Sequence, residues 1–145
     1  MTTPMHAALS LARSAFERGE VPVGCVITDS SGVVIAESHN EVEAASNPTR
    51  HAELIAIERA FAATGQKYLE GCTLTVTLEP CAMCAGAIAH ARLTKLVFGA
   101  YDIKSGGVEH GARVLAHSHH QPEIIGGVME SECAAVMKEF FSSRR

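Results

Sequence analysis

The chain has 145 residues, 47% of them hydrophobic, with a net charge of −4 at neutral pH. That is one domain's length with enough apolar material for a core, and it argues against a strongly basic nucleic-acid binder. No run approaches the ~18–20 apolar residues a membrane span needs. The opening "MTTPMHAALSLARSAFERGEVP" lacks the basic start, apolar centre and cleavage site of a signal peptide. Five cysteines, an odd number without an export signal, point away from disulfides and toward core, metal or redox roles. The expectation is a cytoplasmic protein of a single domain, residues 1–145. Charge is uneven: residues 1–91 are net −5 and residues 92–145 net +1, so a polyanion would favour the C-terminal half.

A helix is predicted over Met5–Arg18, with Leu9, Ala12 and Phe16 on one face and Gly19 ending it. "VPVGCVIT" and "VVIAES", joined by "DSSG", predict a β-hairpin. The polar loop "HNEVEAASNPT" leads to a helix from near His51 to Gly65. In "CTLTVTL" apolar residues alternate with threonine, the period of a strand. A short helix over about Pro80–Ala91, the strand "KLVFGA", a Gly-rich loop, a short helical piece and the strand "EIIGGV" follow. The last helix starts near Glu130, with Met129, Cys133, Val136, Met137 and Phe140 as its apolar stripe. Strands alternating with helices imply an α/β domain, part of its sheet parallel and helices on both faces.

Two helix starts carry the chemistry. In "LEPCAMCAG", Cys81 and Cys84 share a helix face, and the free N–H groups of a first turn favour thiolate over thiol. Alone, this C-x-x-C is equally an incomplete zinc site, a redox dithiol or two buried cysteines. "PTRHAELIAIERA" opens with His51 and Glu53. Glu53 suits a helix start electrostatically, whereas a histidine gains nothing there. If both helix starts point to one spot, His51, Cys81 and Cys84 supply one nitrogen and two sulfur ligands. Three protein ligands leave a position for water, as in a catalytic zinc site. Cys25, Cys72 and Cys133 lie in strand or helix stripes and read as core. Glu53 then becomes the carboxylate that moves protons beside the metal.

H-x-E followed by P-C-x-x-C is the signature of zinc-dependent nucleobase deaminases. Together with "GEVPVGCVI", "NPTRHAELIAI", "TLTVTLEPCAMCAGAI", "LVFGAYDIKSGG" and "ECAAVMKEFFSSRR", the chain resembles the bacterial tRNA-specific adenosine deaminase family nearly end to end. The resemblance implies a three-layer α/β/α sandwich with a central five-stranded mixed sheet, a homodimer, one zinc ion per subunit and a tRNA anticodon stem-loop as partner. It implies hydrolytic deamination of the wobble adenosine to inosine, with zinc held by His51, Cys81 and Cys84 and protons carried by Glu53. It places Asn40 on the target base and Asp102, Lys104, Phe141, Arg144 and Arg145 on the anticodon loop. His120 falls in the same RNA-facing region. Asn47 and Arg50 depart from the family's usual Asp and Ala, as does "VEHGARVLAHSHHQPE". Glu37, Glu41 and Glu43 surround Asn40 and would repel phosphates if they faced RNA.

Two rival readings stand beside this one. The same fold could deaminate a free base or nucleoside of guanine or cytosine type, which the acidic first half favours and "FFSSRR" opposes. A non-catalytic zinc or RNA-binding module would need neither Glu53 nor an open fourth position.

Overall fold

The computed structural model describes residues 3–144; Arg145, expected to touch RNA, lies outside them. Helix α1 runs over Pro4–Glu17. The Thr3 hydroxyl caps it by accepting the His6 N–H at 3.2 Å. Gly19, at φ +78°, turns the chain back after it. Strands β1 (Gly24–Thr28) and β2 (Val34–His39) pair antiparallel as the expected hairpin. The Asp29 carboxylate builds their turn by accepting the N–H groups of Ser31 (2.9 Å) and Val33 (3.0 Å). Then follow α2 (Val42–Ala45), α3 (Ala52–Thr64), β3 (Thr73–Leu78), α4 (Ala82–Ala91) and β4 (Lys95–Ala100). A 3-10 turn over Val114–His117, β5 (Glu123–Ile125) and α5 (Glu130–Ser142) complete the chain.

The five strands form one mixed sheet in the order β2-β1-β3-β4-β5. β1 is antiparallel to β2 and β3, while β3–β4 and β4–β5 are parallel. The parallel step from β3 to β4 is made by α4, because a parallel return needs a crossover. α3 and α4 contribute Ala52, Ala56, Ala60, Ala85 and Ile88 to the cluster holding Cys25, Ile27, Leu74 and Val76. α1 and α5 contribute Met5, Ala8, Leu9, Cys133 and Val136 to a second cluster. The sheet is thus sandwiched between two helix layers, the expected α/β/α arrangement. Helices on both faces also explain why the threonines of β3 are inside: Thr75 and Thr77 are buried, and Thr77 Oγ1 accepts the Gly24 N–H at 3.2 Å.

Three local readings are adjusted. The segment read as a polar loop contains α2, whose Glu43 and Ala44 N–H groups are met by the buried Glu20 carboxylate at 3.0 and 2.8 Å. The strand "EIIGGV" stops at Ile125, and Gly126 after it lies against the Phe98 ring and Tyr101 hydroxyl with no room for a Cβ. Finally, α4 begins at Ala82 rather than Pro80, which puts Cys81 at the cap.

Candidate active site

Two helices aim their N-termini at one point. His51 is the N-cap of α3 and Cys81 the N-cap of α4, both with extended backbone and neither spending its side chain on the cap. Cys84 is one turn into α4 and fully buried. The His51 Nδ1 atom lies 3.6 Å from Cys81 Sγ and 3.6 Å from Cys84 Sγ, and the three atoms fall within 4.8 Å of one another. A tetrahedral zinc centre with bonds of about 2.3 Å to sulfur and 2.0–2.1 Å to nitrogen has S···N edges of about 3.6 Å. The donor set therefore fits zinc in both chemistry and spacing. Among the described residues, no other cluster of three or more His, Cys, Asp and Glu side chains is so arranged. Cys25, Cys72 and Cys133 are buried in the core, as read from the sequence.

The electrostatics suit a metal and a proton carrier. A hydrogen bond from the Cys84 thiol, helped by His51 and opposed by burial, pushes Cys81 down to about 4 and holds it as thiolate. Cys84 is driven up by that same bond, by burial and by the Glu53 charge. His51 is raised chiefly by Cys81. Glu53, 4% exposed, is pushed up to about 7 by burial, against the pull of its own backbone and of His51. A carboxyl poised there can both take and return a proton near neutral pH.

A cavity of about 390 Å³ opens over this cluster, lined by His51, Glu53, Cys81, Asn40, Asp102 and Arg144 among others. Asn40 Oδ1 accepts the Ala52 N–H at 2.8 Å, capping α3 and fixing which amide atom is oxygen. Next to it, a cavity of about 640 Å³ shares Asp102 and Ser105 and adds Lys104 and the half-exposed Phe141. The Arg144 guanidinium rests on the Phe140 ring, 4.2 Å from its centroid. Most of the residues singled out in the sequence therefore gather around two adjoining cavities. His120 does not: its Nε2–H donates to the Leu93 carbonyl at 2.6 Å, and it lines a different depression with Arg92 and His119.

Of the acidic residues flanking Asn40, Glu41 pairs with Arg59 at 3.4 Å, and Arg59 also donates to the Glu37 backbone carbonyl at 2.7 Å. Arg50, unusual in front of the ligand histidine, pairs with Glu58 of α3 at 2.7 Å. Sequence reasoning missed Glu20 and Glu79, two buried carboxylates that line the cavity. The available signal was a carboxylate next to a strand rich in apolar residues, in "GEVP" and "LEPC".

Comparison with known proteins agrees with this geometry. The family model for the cytidine and deoxycytidylate deaminase zinc-binding region matches residues 2–100. The tRNA-specific adenosine deaminase of Agrobacterium fabrum is 46% identical, over 97% of this chain and 93% of its own. A solved structure from work on A-to-I editing by tRNA:A34 deaminases at the wobble position superposes with a TM-score of 0.89 at 47% identity, covering 92% of this chain and 97% of that one. Guanine deaminase from Nitrosomonas europaea shares the fold, with a TM-score of 0.85 at 22% identity over 96% of this chain and 83% of that one. With a partly buried His/Cys/Cys cluster spaced for one zinc ion and this identity over nearly its whole length, the chain belongs to the zinc-dependent cytidine and deoxycytidylate deaminase family, alongside the tRNA-specific adenosine deaminases.

Proposed function

We propose that this protein deaminates the wobble adenosine of a tRNA anticodon to inosine, acting as one domain over residues 1–145 and as a cytoplasmic homodimer. The observation that carries the reading is Glu53, a buried carboxylate two residues from His51 that lines the cavity over the His51, Cys81 and Cys84 cluster. Near full-length identity to a tRNA-specific adenosine deaminase supports the substrate. The exposed Met83 in the first turn of α4, close to the zinc cluster, supports a second copy covering that face.

In this reading His51, Cys81 and Cys84 hold the zinc ion. Bound there, zinc supplies Lewis acidity that brings the pKa of a water molecule down to roughly 7. Glu53 would take one proton from the attacking water and deliver it to the purine ring nitrogen; as the C–N bond breaks it would take the second proton, from the new hydroxyl on the attacked carbon, and pass it to the departing amine. Water is consumed, ammonia leaves and the adenine ring becomes hypoxanthine. Asn40, its Oδ1 committed to Ala52, presents its amide N–H to the base. Asp102 and Lys104 on one loop, and Phe141, Arg144 and Arg145 at the C-terminus, hold the anticodon loop. An unpaired loop suits such a site, since its base enters the cavity without breaking a duplex. His120, whose ring donates to the Leu93 carbonyl and which lines a separate depression with Arg92, meets the RNA outside these two cavities in this reading.

The test is inosine formation on a panel of anticodon stem-loops beside a panel of free bases. Inosine in an adenosine-34 stem-loop is the expected result. Ammonia from guanine, with none from any stem-loop, would replace this reading with a free-base deaminase.

A further inference from the structure

Glu79 follows the last residue of β3 and precedes the Pro80–Cys81 turn. Its side chain is fully buried, yet among the described residues no Lys or Arg pairs with it. Five donors converge on its two oxygens instead. Oε1 accepts the Asp102 N–H at 3.0 Å and the His110 Nδ1–H at 2.8 Å. Oε2 accepts the N–H groups of Val108 (3.2 Å), Glu109 (2.8 Å) and His110 (3.1 Å). Those donors belong to one stretch of chain, residues 102–110, which contains neither helix nor strand. Four of its backbone N–H groups, those of Asp102, Val108, Glu109 and His110, therefore share one side chain as their acceptor. The fit is close: a Cβ on Gly106 would sit 2.6 Å from the Glu79 carboxylate, and the Gly107 N–H donates to the Pro80 carbonyl at 2.8 Å.

What this segment does for the site follows from where it lies. Asp102 and Ser105 line both the cavity over the zinc cluster and the neighbouring cavity that carries Lys104 and Phe141. With Val21 and Leu78, which also line both cavities, the segment forms the partition between them. A free base needs only the first cavity, whereas a base within a strand brings a neighbouring nucleotide that must pass or occupy the second. We propose that Glu79 is a positioning residue: by gathering residues 102–110 onto its carboxylate it fixes that partition, and so sets how a single-stranded polynucleotide seats beside the target base. This rests on the reading of the site as one for a polynucleotide. Glu79 touches neither substrate nor metal in this account, and acts through the loop.

The experiment compares the zinc-loaded protein with Glu79→Gln and His110→Ala. The first keeps shape but presents an amide, one of whose ends is a donor, to N–H groups. The second removes one side-chain donor from a residue whose side chain is 32% exposed and leaves the carboxylate in place. Amide hydrogen exchange should quicken at Asp102, Val108, Glu109 and His110 in Glu79→Gln, and less so in His110→Ala, with α1 and β1 unchanged. Zinc content should stay at one per chain. For an anticodon stem-loop, KM should rise about tenfold in Glu79→Gln with kcat within about threefold, the mark of lost uniform binding. Unchanged exchange in both variants would overturn the proposal, as would loosened amides with KM intact or loss of zinc from Glu79→Gln. If the wild-type protein makes no inosine in any stem-loop, the substrate reading fails, while the exchange pattern still decides whether Glu79 holds the loop.

Discussion

His51 and Cys81 occupy equivalent positions on two different helices, each at the N-cap, with Nδ1 and Sγ 3.6 Å apart. Neither side chain bonds the N–H groups of its own helix, which is what an N-cap residue ordinarily does. Both are thereby left for a shared ligand, and the two helix dipoles add positive potential where a thiolate and a carboxylate must sit. Cys84, one turn further into α4, closes the set from below. Cys84→Ser should therefore lose zinc, since a neutral hydroxyl is a poor substitute for thiolate. Metal content by atomic absorption tests this, and one full zinc per chain in the variant would remove Cys84 from the ligand set.

Glu53 is separable from the metal. Its carboxyl is buried beside His51 but outside the three-atom cluster, so Glu53→Ala should keep its zinc. Turnover should fall by about 10²–10⁴-fold, the usual worth of general acid–base catalysis. Single-turnover inosine formation together with zinc analysis makes the measurement. Activity near wild type with zinc retained would end the proton-carrier role.

Asn40 has two jobs that two substitutions can part. Its Oδ1 caps α3 through the Ala52 N–H, and the residue also lines the cavity. Asn40→Ala should lose about 0.5–2 kcal/mol of stability with the cap and lose activity as well. Asn40→Asp keeps an acceptor at the helix N-terminus, where negative charge is welcome, but has no amide N–H to offer. Stability close to wild type with a raised KM is expected for the aspartate. Equal loss of stability in both variants would show that the cap does not depend on this oxygen.

Alkaline pH probes the burial of Cys133. Cys133 of α5 is fully buried, and burial, with the nearby Glu132, pushes its thiol up to about 11 against the effect of a hydrogen bond with the Ala100 backbone. A folded value above the ordinary 9.0 means that the contribution to stability is intact below pH 9 and is lost as pH rises toward and through 11. Urea midpoints measured from pH 8 to 11 should fall less steeply in Cys133→Ala than in the parent. Equal slopes would mean that this thiol does not resist ionisation in the fold.

The elements and the zinc cluster were legible in the sequence for the same reason: both are written in short-range spacing. The alternation of β3, the apolar stripe of α5 and the C-x-x-C turn each lie within one window. The carboxylates of Glu20 and Glu79 were not legible, because what they do is visible only through distant partners. Glu20 meets N–H groups 23 and 24 residues away, and Glu79 meets donors 23 to 31 residues away. Helix α2 was missed with Glu20, since four residues cannot hold a helix without an external acceptor for their N–H groups. His120, which the resemblance places in the RNA-facing region, donates its ring N–H to the carbonyl of Leu93, next to the C-terminal end of α4, and lines a depression apart from the two cavities.

Gly24 gives the last test, at the contact that seats the first helix layer. It opens β1, and a Cβ there would run into the Ala8 carbonyl oxygen and lie 2.6 Å from the Ala12 nitrogen. These are backbone atoms of α1, so no side-chain rotation can relieve the clash. The Gly24 φ is not in the left-handed region, so the constraint is space rather than conformation. Alanine must therefore push α1 off the sheet, and α1 carries Met5, Ala8 and Leu9 into the second core cluster. Overpacking of this kind costs about 1–3 kcal/mol, and Gly24→Ala should be destabilised by at least that much in urea unfolding. The zinc ligands sit on α3 and α4, which pack on the other face of the sheet. Zinc content in the folded fraction should accordingly stay at one per chain while the midpoint falls. A variant as stable as the parent would show that α1 is not seated against β1 as closely as described.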